Sequence, residues 1–307
     1  MHHQVEFNPH ILESAASRTV IITGGAGGIG GATARIFNEH GANVVIGDLP
    51  IFEQNANDLI ASFPHPSRTL FVPVDITKWD DMKNLFDRAI ATFGGVNIVV
   101  ANAGIMESEE LLDMDNLDEN GDLRDSDEAC KVFDVNVKGT LNTIRLGMHH
   151  MKSLNSTSSS PNSIILVSST SGYFGGTGVL GYIGSKHGVT GLLRGSQAAA
   201  QKYGVKVKGI APFFTPTRIT AGLAVRWKDS GMEANTPEHV GNIIAQSALD
   251  DSPSGSCILV AGKYLRELEL TRAKMMPGWL GQDLVDFMGR AFRFIMDTGY
   301  NTPKKYN

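Results

Sequence analysis

At 307 residues, 42% hydrophobic and 19% charged, the chain can bury a substantial core, and a single α/β domain of this length is ordinary. A net charge of -5 gives no support to nucleic-acid binding, which shows as a basic patch, and no apolar run approaches the roughly eighteen residues that span a bilayer. Cys130 and Cys257 lie far apart with no C-x-x-C, so neither a disulfide framework nor a zinc site is indicated.

Residues 1–17 read as an arm. They carry no basic segment followed by an apolar one, so no secretory signal is expected and the protein is placed in the cytoplasm. The β-branched run Thr19-Val20-Ile21-Ile22 then leads into Thr23-Gly24-Gly25-Ala26-Gly27-Gly28-Ile29-Gly30. This is a strand running into a glycine loop that opens a helix. Gly24 allows the tight turn, Gly28 lets the backbone approach a pyrophosphate, and Gly30 lets the helix pack on the strand. A second strand, 43–48, ends at Asp48, where a carboxylate can hydrogen-bond both hydroxyls of an adenosine ribose. The same charge repels a 2′-phosphate, and Leu49 and Pro50 offer no compensating cation. NAD is therefore the expected cofactor.

Further strands follow at 69–74, 96–101, 163–168, 205–211 and 257–261, each a short apolar run suited to parallel strands buried on both faces. Helical stretches fall at 30–39, 55–62, 79–93, 128–154, 182–203 and 237–249. The alternation predicts right-handed crossovers and one α/β domain over 18–262. It is Rossmann-like, a seven-stranded, doubly wound parallel sheet flanked by helices. Residues 107–128, dense in acidic side chains, read as a solvated loop leading into a helix. Residues 153–163 read as a Ser/Asn-rich loop, whose sequon Asn155-Ser156-Thr157 is expected to be inert. Adjacent His149 and His150 sit about 100° apart on a helix and cannot chelate one ion well, so no metal is expected.

The second half carries the chemistry. Tyr182 and Lys186 are four apart, on one face of a helix. An ammonium about 4 Å from a phenol, at an effective dielectric around 20, favours phenolate by roughly 4 kcal/mol, or about three pK units. That would bring Tyr182 near the working pH of a general acid/base. Gly181, Gly184 and Ser185 around the pair permit close cofactor approach. Ser169 stands where the fifth strand ends, the place where open α/β sheets bind ligands, and its hydroxyl could hold a substrate oxygen beside Tyr182. Ser168, Thr170 and Ser171 are its neighbours, so spacing does not single it out. Beyond 262, Trp279, Leu280, Phe287, Met288, Phe292, Phe294 and Ile295 partly follow helical spacing. This C-terminal extension, 263–307, is expected to pack over the substrate cleft or against another subunit.

Taken in order, these motifs resemble the short-chain dehydrogenase/reductase family, over about residues 18–262. The glycine loop at Thr23–Gly30 is followed by Asp75, by Asn102-Ala103-Gly104, and by Asn136 in Val135-Asn136-Val137-Lys138-Gly139. Ser169, Tyr182 and Lys186 complete the set. The resemblance implies that Tyr182 is the acid/base, that Ser169 polarises the substrate oxygen, and that Lys186 binds the nicotinamide ribose and lowers the tyrosine pKa. It implies that Asn136 holds a water linking Lys186 to solvent. Asp75 would meet the adenine amino group, Asn102 would line the site through its backbone, and Thr217 would contact the carboxamide. Ile29, Leu49, Ile76, Ala103, Gly104, Pro212 and Thr215 would also border the cofactor. Gly27 stands where NADP-dependent relatives often carry a basic residue. The family usually has Pro-Gly after the sixth strand; here it is Pro212-Phe213, a ring expected to narrow the substrate pocket. The chain is most similar to hydroxyprostaglandin-dehydrogenase-like enzymes, including fungal ones of secondary metabolism. That implies an apolar secondary alcohol or ketone, polycyclic or terpenoid, and a homodimer or homotetramer. An NADPH-dependent ketoreductase and a non-catalytic NAD-binding scaffold are the alternatives.

Overall fold

The computed structural model describes residues 4–8, 10–152 and 162–297; the sequon and most of the Ser/Asn-rich loop lie outside the described residues. Seven strands are parallel: β1 (Thr19–Thr23), β2 (Asn43–Asp48), β3 (Thr69–Pro73), β4 (Ile98–Ala101), β5 (Ser163–Val167), β6 (Lys206–Pro212) and β7 (Cys257–Ala261). Their order across the sheet is β3-β2-β1-β4-β5-β6-β7, the doubly wound arrangement, with its reversal between β1 and β4. An eighth strand, β8 (Tyr264–Glu267), was not expected. It folds back antiparallel on β7 through a two-residue turn whose Gly262 adopts φ +54°.

Each strand sends alternate side chains to opposite faces. Ile21, Val45, Val99, Ile164 and Val207 join one core, and Val20, Ile22, Val44, Val100 and Ile165 join the other. Helices α1 (Gly28–Glu39) and α2 (Glu53–Ala61) follow β1 and β2, and α3 (Trp79–Phe93) follows β3. The expected helix at 128–154 is broken. It comprises α4 (Asp127–Phe133), a π-helical turn (Asp134–Gly139) and α5 (Thr140–Met151). At the end of that turn a Cβ on Gly139 would sit 2.4 Å from the Ile76 side chain, so the backbone has room only for glycine. The next long helix also divides, into α6 (Leu180–Gly195) and α7 (Gln197–Tyr203). Then come α8 (Ala221–Asp229) and α9 (Pro237–Leu249), the latter capped by Thr236, whose side chain accepts from His239 N. Where α9 meets α1, a Cβ on Gly241 would lie 2.9 Å from Thr33 N, so these helices touch almost backbone to backbone.

The extension forms α10 (Glu269–Leu280) and α11 (Gln282–Asp297), packed against each other. Its root is fixed: Glu269 is 5% exposed and takes Arg194 Nε at 2.9 Å and Nη2 at 2.7 Å from α6. Among the described residues its apolar face stays open, with Trp279, Phe287 and Phe292 75%, 59% and 57% exposed.

Candidate active site

The glycine loop is clamped from the neighbouring strand. Asn102 Nδ2 donates to Thr23 O and to Gly24 O, both at 3.0 Å, and Asn102 N donates to Thr23 Oγ1 at 3.1 Å. The asparagine side chain thus shapes the loop, a larger part than the backbone lining expected of it. Gly24 has φ +65°, and a Cβ there would lie 2.8 Å from Ala103 Cα. A Cβ on Gly30 would fall 2.2 Å from Gly24 O and 2.6 Å from Asn102 Nδ2. On the outer side the loop is open: nothing lies within 4 Å of a Cβ built on Gly27, and Ile29 is half-buried beneath it. This is a cradle of the kind a pyrophosphate requires at a helix N-terminus.

Asp48, at the end of β2, accepts from Ala26 N at 3.0 Å and Leu49 N at 2.8 Å. Each oxygen keeps a lone pair for a ribose hydroxyl. Burial raises its carboxyl pKa, opposed by those two N–H groups and by the Arg218 guanidinium. Leu49 and Pro50 indeed supply no cation, but the fold does. Arg218, from the segment after β6, stacks 4.2 Å over the Phe52 ring beside this carboxylate. Thr217 comes down on the loop, its Cγ2 3.4 Å from where a Gly28 Cβ would stand. The residues present therefore fit a dinucleotide, with Gly27, Gly28 and Asp48 able to hold its phosphates and adenosine ribose.

Asp75 is more occupied than expected. Its Oδ1 takes Thr77 N at 3.0 Å and Thr77 Oγ1 at 2.7 Å, and Lys78 approaches at 3.6 Å. Burial pushes its carboxyl up, but Thr77 and Lys78 outweigh it and hold it below the ordinary range. Ile76, just after it, is buried against Gly139, and its carbonyl accepts from Asn142 Nδ2 at 3.0 Å.

The reaction centre forms where β5 ends and α6 begins. Ser168 turns inward, its Oγ donating to Lys186 O at 3.3 Å and meeting Thr190 Oγ1 at 3.1 Å. Ser169 turns the other way; its Oγ accepts from Ser171 N at 3.1 Å, donates to Pro212 O at 3.5 Å, and interacts with the Tyr182 phenol so as to favour phenolate. The four neighbouring hydroxyl residues are thereby separated, and Ser169 is the one that meets the tyrosine. Lys186 Nζ donates to Val167 O at 2.9 Å and sits 5.6 Å from the Tyr182 ring centre. Gly104 lets the ammonium in: a Cβ there would lie 3.5 Å from Lys186 Nζ and 3.1 Å from Asn136 Oδ1.

One expectation changes. The phenol of Tyr182 is pushed up, not down, because burial opposes phenolate and the Glu107 charge adds to it, with only Ser169 pulling the other way. Lys186, which donates to Val167 O, is not among the groups that offset this. Asn136 is fully buried; its Oδ1 accepts from Ile105 N, and its Nδ2 donates to Ile105 O and Ser185 Oγ, all within 2.9 Å. That side chain pins the loop after β4 to α6 and makes no contact of this kind with Lys186.

Burial depresses the Lys186 pKa from 10.5 to about 8. Folding therefore disfavours the ammonium below pH 8. The cost fades as pH rises from 8 to 10.5, where the unfolded chain binds the extra proton and stability climbs. It amounts to about 3 kcal/mol at pH 7, less about 1–2 for the carbonyl that a Lys186→Met variant would leave without its donor. We expect Lys186→Met to be inactive yet more resistant to urea than wild type at pH 7, with the advantage shrinking toward pH 10. Lower resistance at pH 7 would contradict this.

Phe213 does not stand alone. Its ring meets Trp227 of α8 edge-on at 5.5 Å, Phe214 stacks on the same indole at 4.2 Å, and Phe213 N pairs with Val260 O. Pro212 ends β6, and Thr215 Oγ1 donates to Phe213 O at 3.0 Å while accepting from Asn235 Nδ2 at 3.2 Å. The segment is thus a wedge built on Trp227. Sequence reasoning missed Glu107 and Arg218. Among the described residues no group of three metal-ligating side chains converges.

A family model described as short chain dehydrogenase matches residues 18–226. The short-chain dehydrogenase/reductase ascJ of Acremonium egyptiacum is 34% identical over 84% of this chain and 83% of its own length. A cis-4-hydroxycyclohexanecarboxylate dehydrogenase of Sinomonas cyclohexanicum is 32% identical over 82% of this chain and 98% of its own length. The crystal structure of a short-chain type dehydrogenase/reductase from Mycobacterium marinum superposes with a TM-score of 0.70, covering 82% of this chain and 97% of that one at 22% identity, a likeness of fold. The glycine cradle and the Ser169–Tyr182–Lys186 cluster thus sit within a matched family span, and the chain belongs to the short-chain dehydrogenase family.

Proposed function

We propose that this protein is an NAD-dependent oxidoreductase that interconverts a secondary alcohol and a ketone on an apolar, ring-bearing substrate. The observation that carries the reading is the meeting of the Ser169 hydroxyl and the Tyr182 phenol at the strand ends, beside the glycine cradle and Asp48. The dinucleotide, when bound, accepts or supplies the hydride. Ser169 orients the substrate oxygen, and Tyr182 takes or gives the proton at that oxygen. Lys186 keeps a positive charge next to the phenol. Phe213, Ile219, Leu223 and Met232, all exposed after β6, offer an apolar wall for the substrate. A relative named for a ring-borne secondary alcohol supports the substrate class. The test is a panel of cyclic secondary alcohols with NAD or NADP, followed by reduced-cofactor absorbance; no turnover on any of them would sink the reading. We further propose a homodimer or homotetramer, supported by exposed Phe133 and Leu141 on α4 and α5 and by exposed Trp279, Phe287 and Phe292 of the tail. A monomeric mass in light scattering would refute it.

Arg218 gives the NADPH reading some weight, because a cation already stands by the ribose site. Asp48 is then the main element that rejects a 2′-phosphate. We expect Asp48→Ser alone to lower the ratio of NAD to NADP kcat/KM by about tenfold or more, about 1.4 kcal/mol, since the repulsion goes and Arg218 remains. An unchanged ratio would place ribose recognition elsewhere.

A further inference from the structure

Glu107, on the loop after β4, is the one member of the acidic run 107–128 that is buried, at 6% exposed. Its Oε1 accepts from Gly181 N and its Oε2 from Tyr182 N, each at 2.8 Å. A buried carboxylate is costly to hold unless it is hydrogen-bonded, and these two donors belong to the first turn of the helix that carries Tyr182 and Lys186. The fit is close on the other side too: a Cβ on Gly181 would lie 3.4 Å from Glu107 Oε2 and 3.1 Å from Leu111 Cδ1. Two residues upstream, Ile105 is held at both its N and its O by Asn136. Residues 105–107 therefore form a strap running from the π-helical turn to the start of α6.

We propose that Glu107 is a positioning residue of the reaction centre, one that fixes the first turn of α6 under Tyr182 and holds its carboxylate on the Tyr182 backbone N–H. The inference rests on Tyr182 being the acid/base. Among the described residues, other groups do not supply that charge. Lys186 faces the ring from the same helix with the opposite sign. Of the charges on α4 and the π-helical turn, Asp127, Lys131, Asp134 and Lys138 are exposed, and Glu128 is tied to Ser108 and to Glu109 N. Tyr173 is buried and feels chiefly Cys257 and Glu269. Glu107 thus opposes phenolate, and Ser169 favours it.

Two substitutions separate the charge from the cap. Glu107→Gln keeps an acceptor for one N–H and removes the charge, whereas Glu107→Ala leaves both N–H groups without it. The primary readout needs no substrate: tyrosinate absorbance is titrated in wild type and Glu107→Gln, with Tyr182→Phe to assign the Tyr182 step. We expect the Tyr182 step to move down by about one pH unit in Glu107→Gln, and the alkaline rise in alcohol oxidation to move with it. Glu107→Ala should lose roughly tenfold in kcat, and Glu107→Asp should recover part of it. Superimposable titrations of Glu107→Gln and wild type would overturn the inference. Failure of wild type to oxidise any alcohol would instead overturn the proposed function, and the titration would still decide the role of Glu107.

Discussion

Tyr182→Phe is expected to lower kcat for alcohol oxidation by about 10²–10⁴-fold while leaving dinucleotide affinity almost unchanged. Only one oxygen is lost. The ring keeps its packing on α6, Lys186 keeps Val167 O, and the glycine loop and Asp48 lie on separate strands. What disappears is the single phenol hydroxyl that Ser169 acts on. The sign of the pH dependence follows from the same environment. Burial and Glu107 raise the phenol, so its basic form grows only as pH rises toward and past the ordinary phenol range. Wild-type oxidation should therefore climb with pH, and ketone reduction, which draws on the phenol proton, should fall over the same interval. Steady-state rates in both directions, with cofactor binding measured by fluorescence, check each part. A Phe variant retaining more than a few per cent of the rate would remove Tyr182 from the reaction.

Gly30→Ala should cripple cofactor binding without touching any reacting group. The added methyl would enter at 2.2 Å from Gly24 O and 2.6 Å from Asn102 Nδ2, both fixed parts of the clamp on the loop. The first is backbone and the second is held by two hydrogen bonds, so α1 must move off β1 or the turn must open. Overpacking of this kind costs on the order of 3 kcal/mol. A displacement of about 1 Å in the cradle would weaken NAD binding by roughly 100-fold. Gly27→Ala is the contrast. Gly27 has an extended backbone with no atom within 4 Å of its Cβ direction, so that variant should fold normally. Calorimetric titration with NAD and a thermal melt on both variants separate the two cases. Equal melting temperatures would show that the clamp yields where the geometry says it cannot.

What could be read in the chain was whatever is local. A β-branched run followed by glycines, an acid at the end of β2, and a tyrosine and lysine one helical turn apart all carry their meaning within a few residues. What escaped depends on partners far along the chain. Glu107 meets backbone N–H groups 74 and 75 residues away, and a backbone donor leaves no signature in sequence. Arg218 reaches Asp48 from the far side of β6. The strand β8 is four residues with two charged among them, too short for alternation to stand out, and it exists because Gly262 can turn the chain back on β7. The π-helical turn is hidden within a pattern that reads as one long helix. The direction of the tyrosine pKa escaped because spacing gives the separation of two residues but not how deeply the phenol is buried.

The eighth strand has a bearing on how copies of this chain can meet. Its outer side is not bare: Val5 N donates to Leu265 O at 3.2 Å, Leu265 N donates to Gln4 Oε1 at 3.3 Å, and Gln4 Nε2 donates to Lys263 O at 3.0 Å. The N-terminal arm thus seals the backbone rungs at that border, rungs that would otherwise template another strand. Two molecules cannot splice their sheets end to end through β8 unless the arm first peels away. Self-association there is left to side chains, and the segment around Gln4 and Val5 serves as a selvedge that keeps the sheet from growing.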